Sequence, residues 1–351
     1  MPVIPARPSQ LPIAITMGDP AGIGPEIIAK AFRDDPTVTA GCFVVGDMAT
    51  LRRASAVVSG PGRPLIPVSR IDAPQEAFAT PPRCIPVLQM PRRLGPVAVG
   101  RVSAEAGQAA ADCVVWAAQA ALRKEIGAIV TAPLHKEALA AAGISYPGHT
   151  ELLQAQAAAF LGKSVSEVPV RMMLANDELR TVLLSIHVAL RDAIDAVTPE
   201  NLLETLRITH ESVGALLQRA PRIGVAGLNP HAGEGGLFGR EEIDTIAPTI
   251  ETARRAGMDV RGPFAPDTVF MRARASAGEP GEFDVVIAMY HDQGLIPVKY
   301  LGVDKGVNVT LGLPIRRTSP DHGTAFDIAG TGQADASSLI EAIRFARVLA
   351  P

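Results

Sequence analysis

The chain is poor in cysteine: Cys42, Cys84 and Cys113 are the only three in 351 residues, and none has CxxC spacing. So sparse a set argues against a disulfide framework or a thiolate metal site and predicts reduced, buried thiols. Charge of one sign is missing too. Thirty-three Lys and Arg stand against 36 Asp and Glu, a formal net charge of −3 with no basic stripe, which excludes a nucleic-acid-coating surface. No apolar run is long enough to span a bilayer, and the opening MPVIPARPSQLP lacks a charged head followed by an apolar segment, so a cytoplasmic protein with no membrane partner is expected. There is no Walker A sequence. AGIGPE departs from GxGxxG in its spacing and in Pro25, which disfavours a Rossmann cofactor site.

What is present fits a soluble globular enzyme or binding protein of about two domains: 47% hydrophobic and 20% charged residues. Short apolar runs alternate with helical patterns, as in PIAITM before PEIIAKAF, CFVVGD before MATLRRAS, and GAIVTA before HKEALAAAG. This predicts an α/β fold with a mostly parallel sheet in an α/β/α arrangement. The proline-rich stretch 60–98, with PLIPVS and CIPVLQM, reads as an excursion at an edge, and VRMMLANDELRTVLLSI as an antiparallel hairpin inside a separate middle domain. TPENLLETLRITHESVGALLQ reads as one amphipathic helix capped by Thr198, with Pro199 first and His210 as a solvated residue.

Three histidines follow predicted buried strands: His187 after TVLLSI, His231 after RIGVAGLNP and His291 after FDVVIAMY. Strand carboxyl ends are where open α/β sheets present ligands, and three converging imidazoles make a divalent-metal set with open positions for substrate. Asp292 beside His291 either orients that ring or caps a helix. His149 and Thr150 lie in a turn, with Thr150 a candidate N-cap. Lys299, Asn308 and Arg317 fall on expected strand or loop positions, a cation, an amide and a guanidinium suited to an anionic, oxygen-rich small molecule.

Together, TMGDPAGIGPEI, TAPLHKEAL, YPGHTE, GLNPHAGEGGLFGREEIDTI, AMYHDQGLIPVKY and GVNVTLGLPIRRTSPDHGTA closely resemble the 4-hydroxythreonine-4-phosphate dehydrogenase family of pyridoxal phosphate biosynthesis, in order from about residue 12. The resemblance implies a metal (zinc, magnesium or cobalt) held by His187, His231 and His291 in sites shared across a homodimer. It also implies substrate contacts from His149, Thr150, Lys299, Asn308 and Arg317, with Lys299 and His149 in catalysis. Arg316 replaces an apolar position of the family pattern, a change that is either neutral or felt at the pocket rim.

GDPAGIGPE and HGTAFDIAGTGQAD are similar to segments of isocitrate and isopropylmalate dehydrogenases. That likeness implies their fold, two subdomains with a cleft, and a cofactor loop in which His322, Gly323, Thr324 and Asp327 bind NAD, with NADP as the alternative. The expected subdomains are 12–148 plus 302–351, carrying that loop, and 149–301, carrying the histidines and the dimer contacts. The implied reaction is oxidation of a phosphorylated hydroxy acid to a β-keto acid that loses CO2. For 4-phosphooxy-L-threonine this gives 3-amino-2-oxopropyl phosphate; similar enzymes act on other phosphorylated four-carbon acids or aromatic cis-dihydrodiols. A metal-dependent hydrolase needs the same three histidines but not HGTAFDIAG, and a two-lobed solute-binding protein calls for a secretion signal.

Overall fold

In the computed structural model the described residues are 11–350 except 61, 63, 93, 277, 303 and 304, so most of the opening MPVIPARPSQLP lies outside them. The described residues pack as two units, one built on Val170–Gly312 and the other on residues 11–169 together with 313–350.

The flanking unit holds β1 (Ile13–Thr16), β2 (Cys42–Gly46), β3 (Val68–Ile71), β4 (Ile85–Gln89), β5 (Ala128–Thr131) and β12 (Arg317–Pro320). They run in the order β3-β4-β2-β1-β5-β12, with every pair parallel. IAIT, CFVVG and AIVT are buried throughout, as strands covered on both faces must be. The proline-rich excursion resolves into the edge strand β3 and its neighbour β4. Cys42, Cys84 and Cys113 are buried free thiols, as expected.

One cluster of this unit's core joins Val114, Ala117 and Ala118 of the helix Ala104–Leu122 to Leu152, Leu153 and Ala157 of the helix His149–Leu161. That packing carries the second helix into the flanking unit. The division therefore falls after Pro169 rather than after residue 148, as the sequence suggested.

The middle unit holds β6 (Arg171–Ala175), β7 (Arg180–Leu183), β8 (Ile223–Ala226), β9 (Val260–Phe264), β10 (Val285–Ala288) and β11 (Val307–Leu311), in the order β11-β6-β7-β10-β8-β9. β6 and β7 form the expected antiparallel hairpin, with Met173 opposite Val182. β11 pairs antiparallel with β6, which moves the second boundary from 301/302 to Gly312. The remaining neighbours are parallel. Thr198 caps the helix Pro199–Leu217 by accepting the Asn201 N–H, and Pro199 opens it. His210 is not the solvated residue expected: it is half-buried, with Nδ1 shielded from solvent. Among the described residues no helix is long and apolar enough to cross a membrane.

Candidate active site

In the middle unit β7, β10 and β8 are parallel neighbours in that order, so their carboxyl ends share one edge. Side chains lace these ends together. Ser185 Oγ donates to the Met289 carbonyl at 2.9 Å. Gln293 accepts the Met289 N–H at 2.7 Å and donates to the Gly227 carbonyl at 2.8 Å. His187, His291 and His231 follow these three ends. The rings of His187 and His291 have centroids 5.7 Å apart, whereas the His231 ring lies 6.2 Å from Phe238. The structure thus brings two of the three imidazoles together and leaves the third at the neighbouring strand end. No group of three His, Cys, Asp or Glu side chains among the described residues is gathered as a metal cage.

Asp292 orients rather than caps. Tyr290 occupies the cap of the helix His291–Tyr300, and the Asp292 carboxylate holds His291 Nδ1 at 2.7 Å. His187 (φ 33°), His231 (53°), Ala232 (52°) and Glu234 (44°) all sit in the left-handed region, where non-glycine residues store strain and which functional segments favour. Glu242, which the motifs around the histidines do not single out, anchors this segment. Its Oε1 accepts the N–H groups of Leu228 and Asn229 at 2.7 and 2.8 Å, inside a single turn of π-helix.

The flanking unit holds the anion-binding candidates. Arg317 on β12 is only 4% exposed and donates from Nε and Nη2 to Thr131 Oγ1 at 3.0 and 2.7 Å. Burial lowers its pKa to about 10, opposed by the Glu151 carboxylate. His149 opens its helix after Gly148, so Gly148 and not Thr150 is the N-cap. His149 is half-buried as a residue, but its Nε2 is sealed from solvent and has no partner among the described residues. Burial first, and Arg317 second, push its pKa well below 6.5 against a hydrogen bond to the Ala132 backbone, so the ring is neutral near pH 7.

Lys299 and Asn308 belong to the middle unit, both half-buried. Asn308 is on β11 as expected, but Lys299 lies in the last turn of the helix His291–Tyr300 and not on a strand or loop. Arg316 is exposed, and its carbonyl accepts the Ile129 N–H at 2.9 Å.

The segment 322–330 is an irregular turn with His322, Gly323 and Asp327 exposed and Thr324 buried. Two side chains of the helix Gly24–Asp34 grip the chain just beyond it. Glu26 accepts the N–H groups of Gly330 and Gly332, the second at 2.9 Å, and Lys30 donates to the carbonyls of Gly332 and Ala334. AGIGPE and the cofactor-like loop are therefore one physical piece, which neither motif alone reveals. Beside them lies a cavity of about 380 Å3 lined by Gly22, Glu26, Arg53, Val57, Val99 and Gly330, within the usual size range for small-molecule pockets. Exposed Asp327, open space above Gly323 and a rigidly held loop fit one end of a nucleotide.

Comparison with known proteins adds an independent line. Residues 39–346 match the family model described as pyridoxal phosphate biosynthetic protein PdxA. A 4-hydroxythreonine-4-phosphate dehydrogenase of Beijerinckia indica is 53% identical over 335 residues, covering 95% of this chain and 94% of that one. A D-threonate 4-phosphate dehydrogenase of Salmonella typhimurium is 46% identical, covering 96% and 98%. The crystal structure of 4-hydroxythreonine-4-phosphate dehydrogenase from Klebsiella pneumoniae superposes with a TM-score of 0.84 at 41% identity, covering 97% of this chain and all of that one.

Proposed function

The chain belongs to the pyridoxal phosphate biosynthetic protein PdxA family and is an oxidoreductase, and within that family we propose that it oxidises 4-phosphooxy-L-threonine. The carbinol carbon gives up a hydride and its hydroxyl a proton; the resulting β-keto acid loses CO2 and takes up a proton, leaving 3-amino-2-oxopropyl phosphate. The observation that carries the reading is Arg317, a guanidinium buried and braced on Thr131, a built site for phosphate rather than a surface charge. Neutral His149 stands beside it as a hydrogen-bonding partner for the same oxygens, with Thr150 next in the chain.

His187, His291 and His231 are the proposed ligands of a zinc, magnesium or cobalt ion. Their chemistry suits it: imidazoles on three laced, adjacent strand ends, one with its tautomer set by a carboxylate. When bound, the cation supplies Lewis acidity to the substrate hydroxyl, and NAD, or less favourably NADP, supplies the hydride acceptor. Lys299 serves as the proton relay and Asn308 as a hydrogen-bonding contact. His322, Gly323, Thr324 and Asp327 take the adenosine end of the cofactor, the Asp327 carboxylate accepting from the ribose hydroxyls and repelling a 2′-phosphate.

A homodimer that completes each site is part of the proposal. The segments after β7, β8 and β10 expose Val188, Leu190, Leu237, Phe238, Ile296 and Tyr300, the last at 91%, more apolar surface than isolated side chains need. A second reading, D-threonate 4-phosphate as substrate, is favoured by the 46% identity to the Salmonella enzyme of that name.

The test is NADH formation by the purified protein with a divalent metal and either substrate. The expected outcome is the higher kcat/KM with 4-phosphooxy-L-threonine. A higher value with D-threonate 4-phosphate replaces the substrate assignment, and no NADH from either refutes the reading.

A further inference from the structure

Gly18, at the end of β1, has φ 73°, and a Cβ there would lie 2.4 Å from the Pro133 carbonyl, so only glycine allows this approach. The approach delivers Asp19 to the segment that follows β5, where its N–H donates to the Pro133 carbonyl at 2.9 Å. Asp19 is completely buried. Its Oδ1 accepts the Ala21 N–H at 2.8 Å, while Oδ2 has no hydrogen-bond partner among the described residues. Nor has the buried Nδ1 of His135, two residues beyond Pro133, whose imidazole attracts the Asp19 carboxylate; burial nonetheless holds that carboxyl above its ordinary pKa. His135 lies on Phe326 with centroids 4.6 Å apart and planes inclined by 17°. The Phe326 carbonyl meanwhile presses on Gly100, where a Cβ would come within 2.8 Å of it. Phe326 is thus pinned at both ends, and the next residue is the exposed Asp327.

We infer that His135 is a positioning residue that sets the presentation of Asp327 through the stacked ring of Phe326. A ring in van der Waals contact with another has few ways to move. Asp327 is one peptide link from that fixed ring, so the stack holds the backbone that carries its carboxylate. The inference rests on the proposed cofactor loop and deepens it: cofactor discrimination depends on His135 and Phe326 as well as on Asp327.

The experiment is calorimetric titration of the native protein, Asp327→Ala, His135→Ala and His135→Phe with NAD and with NADP. Asp327→Ala is expected to lower the NAD-over-NADP affinity ratio about tenfold, by removing both the ribose acceptor and the repulsion of the 2′-phosphate. His135→Ala should lower the ratio equally, and His135→Phe, which keeps the stack, should restore most of it. Phe326→Ala, outside the Asp19 contact, should repeat the His135→Ala result if that variant fails to fold. A native ratio in His135→Ala or in Phe326→Ala, or a ratio in His135→Phe as low as in His135→Ala, overturns the inference while leaving the cofactor loop intact. Failure of the native protein to bind either dinucleotide instead refutes the cofactor reading on which it stands, and with it the inference.

Discussion

The two units present their strand ends in opposite conditions. In the flanking unit the anion-binding candidates are already bonded, buried Arg317 on Thr131 and half-buried His149 on the Ala132 backbone, and the loop beyond 330 is held by Glu26 and Lys30. In the middle unit His187 and His231 are exposed, His291 is half-buried, and the segments carrying them are strained and edged with exposed apolar side chains. Burial has been spent on the charge that needs a rigid cradle, a guanidinium aimed at phosphate. Exposure is kept where an ion and a second protomer are proposed to complete the geometry. A site of the first kind should couple stability to activity, and one of the second kind should separate them.

Breaking the exposed half has the largest expected effect on rate. His231→Ala should lower kcat/KM by about a thousandfold or more, as loss of a ligand to the catalytic ion does, while the melting curve moves by no more than about 0.5 kcal/mol, since exposed positions carry little stability. Steady-state kinetics beside urea melts check both parts; a large stability loss would erase the contrast between the units. Breaking the buried half should do both at once. Arg317→Lys exchanges a braced fork for a point charge, so KM should rise about a hundredfold and stability should fall by about 1–3 kcal/mol as Thr131 loses its paired donors. A native melting curve would mean that the guanidinium is not built into the core.

The same contrast governs what the amino-acid sequence discloses. IAIT, AIVT and VVIA are uninterrupted apolar runs, so their burial and strand character are local properties and were legible. The three histidines were readable as residues after such runs. That β10 lies between β7 and β8 was not, because strand order is set by pairings far apart in the chain. Lys299 was misplaced because IPVKYLG, with Pro297 and a β-branched neighbour, looks like a strand; burial of Leu295 and Val298 beneath the helix overrides that local preference. Glu26 and Gly330 are separated by 304 positions, and neither residue type announces the bond between them. His149, equally, looked like a turn residue beside a capping threonine until the Gly148 cap placed it inside the helix.

An intermediate effect should come from the apolar surface around the histidines. If a second copy covers it, Phe238→Asp or Tyr300→Asp puts an unpaired charge into that interface. Truncating an aromatic anchor typically costs 2 kcal/mol or more, so dimer dissociation should strengthen at least about thirtyfold. Sedimentation velocity across a concentration series reads this directly. Native-like association in both variants would show that the exposed side chains of the middle unit are not its dimer face.

The smallest expected effect sharpens the comparison from the buried side, through pH. His149 has its pKa pushed well below 6.5 by burial and by Arg317, so near the ordinary histidine value the folded protein binds fewer protons there than the unfolded chain does. Its neutral form is therefore fully compatible with the fold above pH 6.5, and folding stability is lost as pH drops below it. Asp19, whose carboxyl is raised by burial, acts in the opposite direction as the medium becomes acidic, so the native curve alone mixes the two. The difference between native protein and His149→Gln separates them, because glutamine keeps an N–H for the Ala132 carbonyl and has no proton to gain. Urea melts at pH 7.5 and 5.5 should show the native protein losing more stability than His149→Gln over that interval. Equal losses would mean that His149 takes up its proton as readily in the fold as outside it, and the sealed, neutral imidazole beside Arg317 would have to be abandoned.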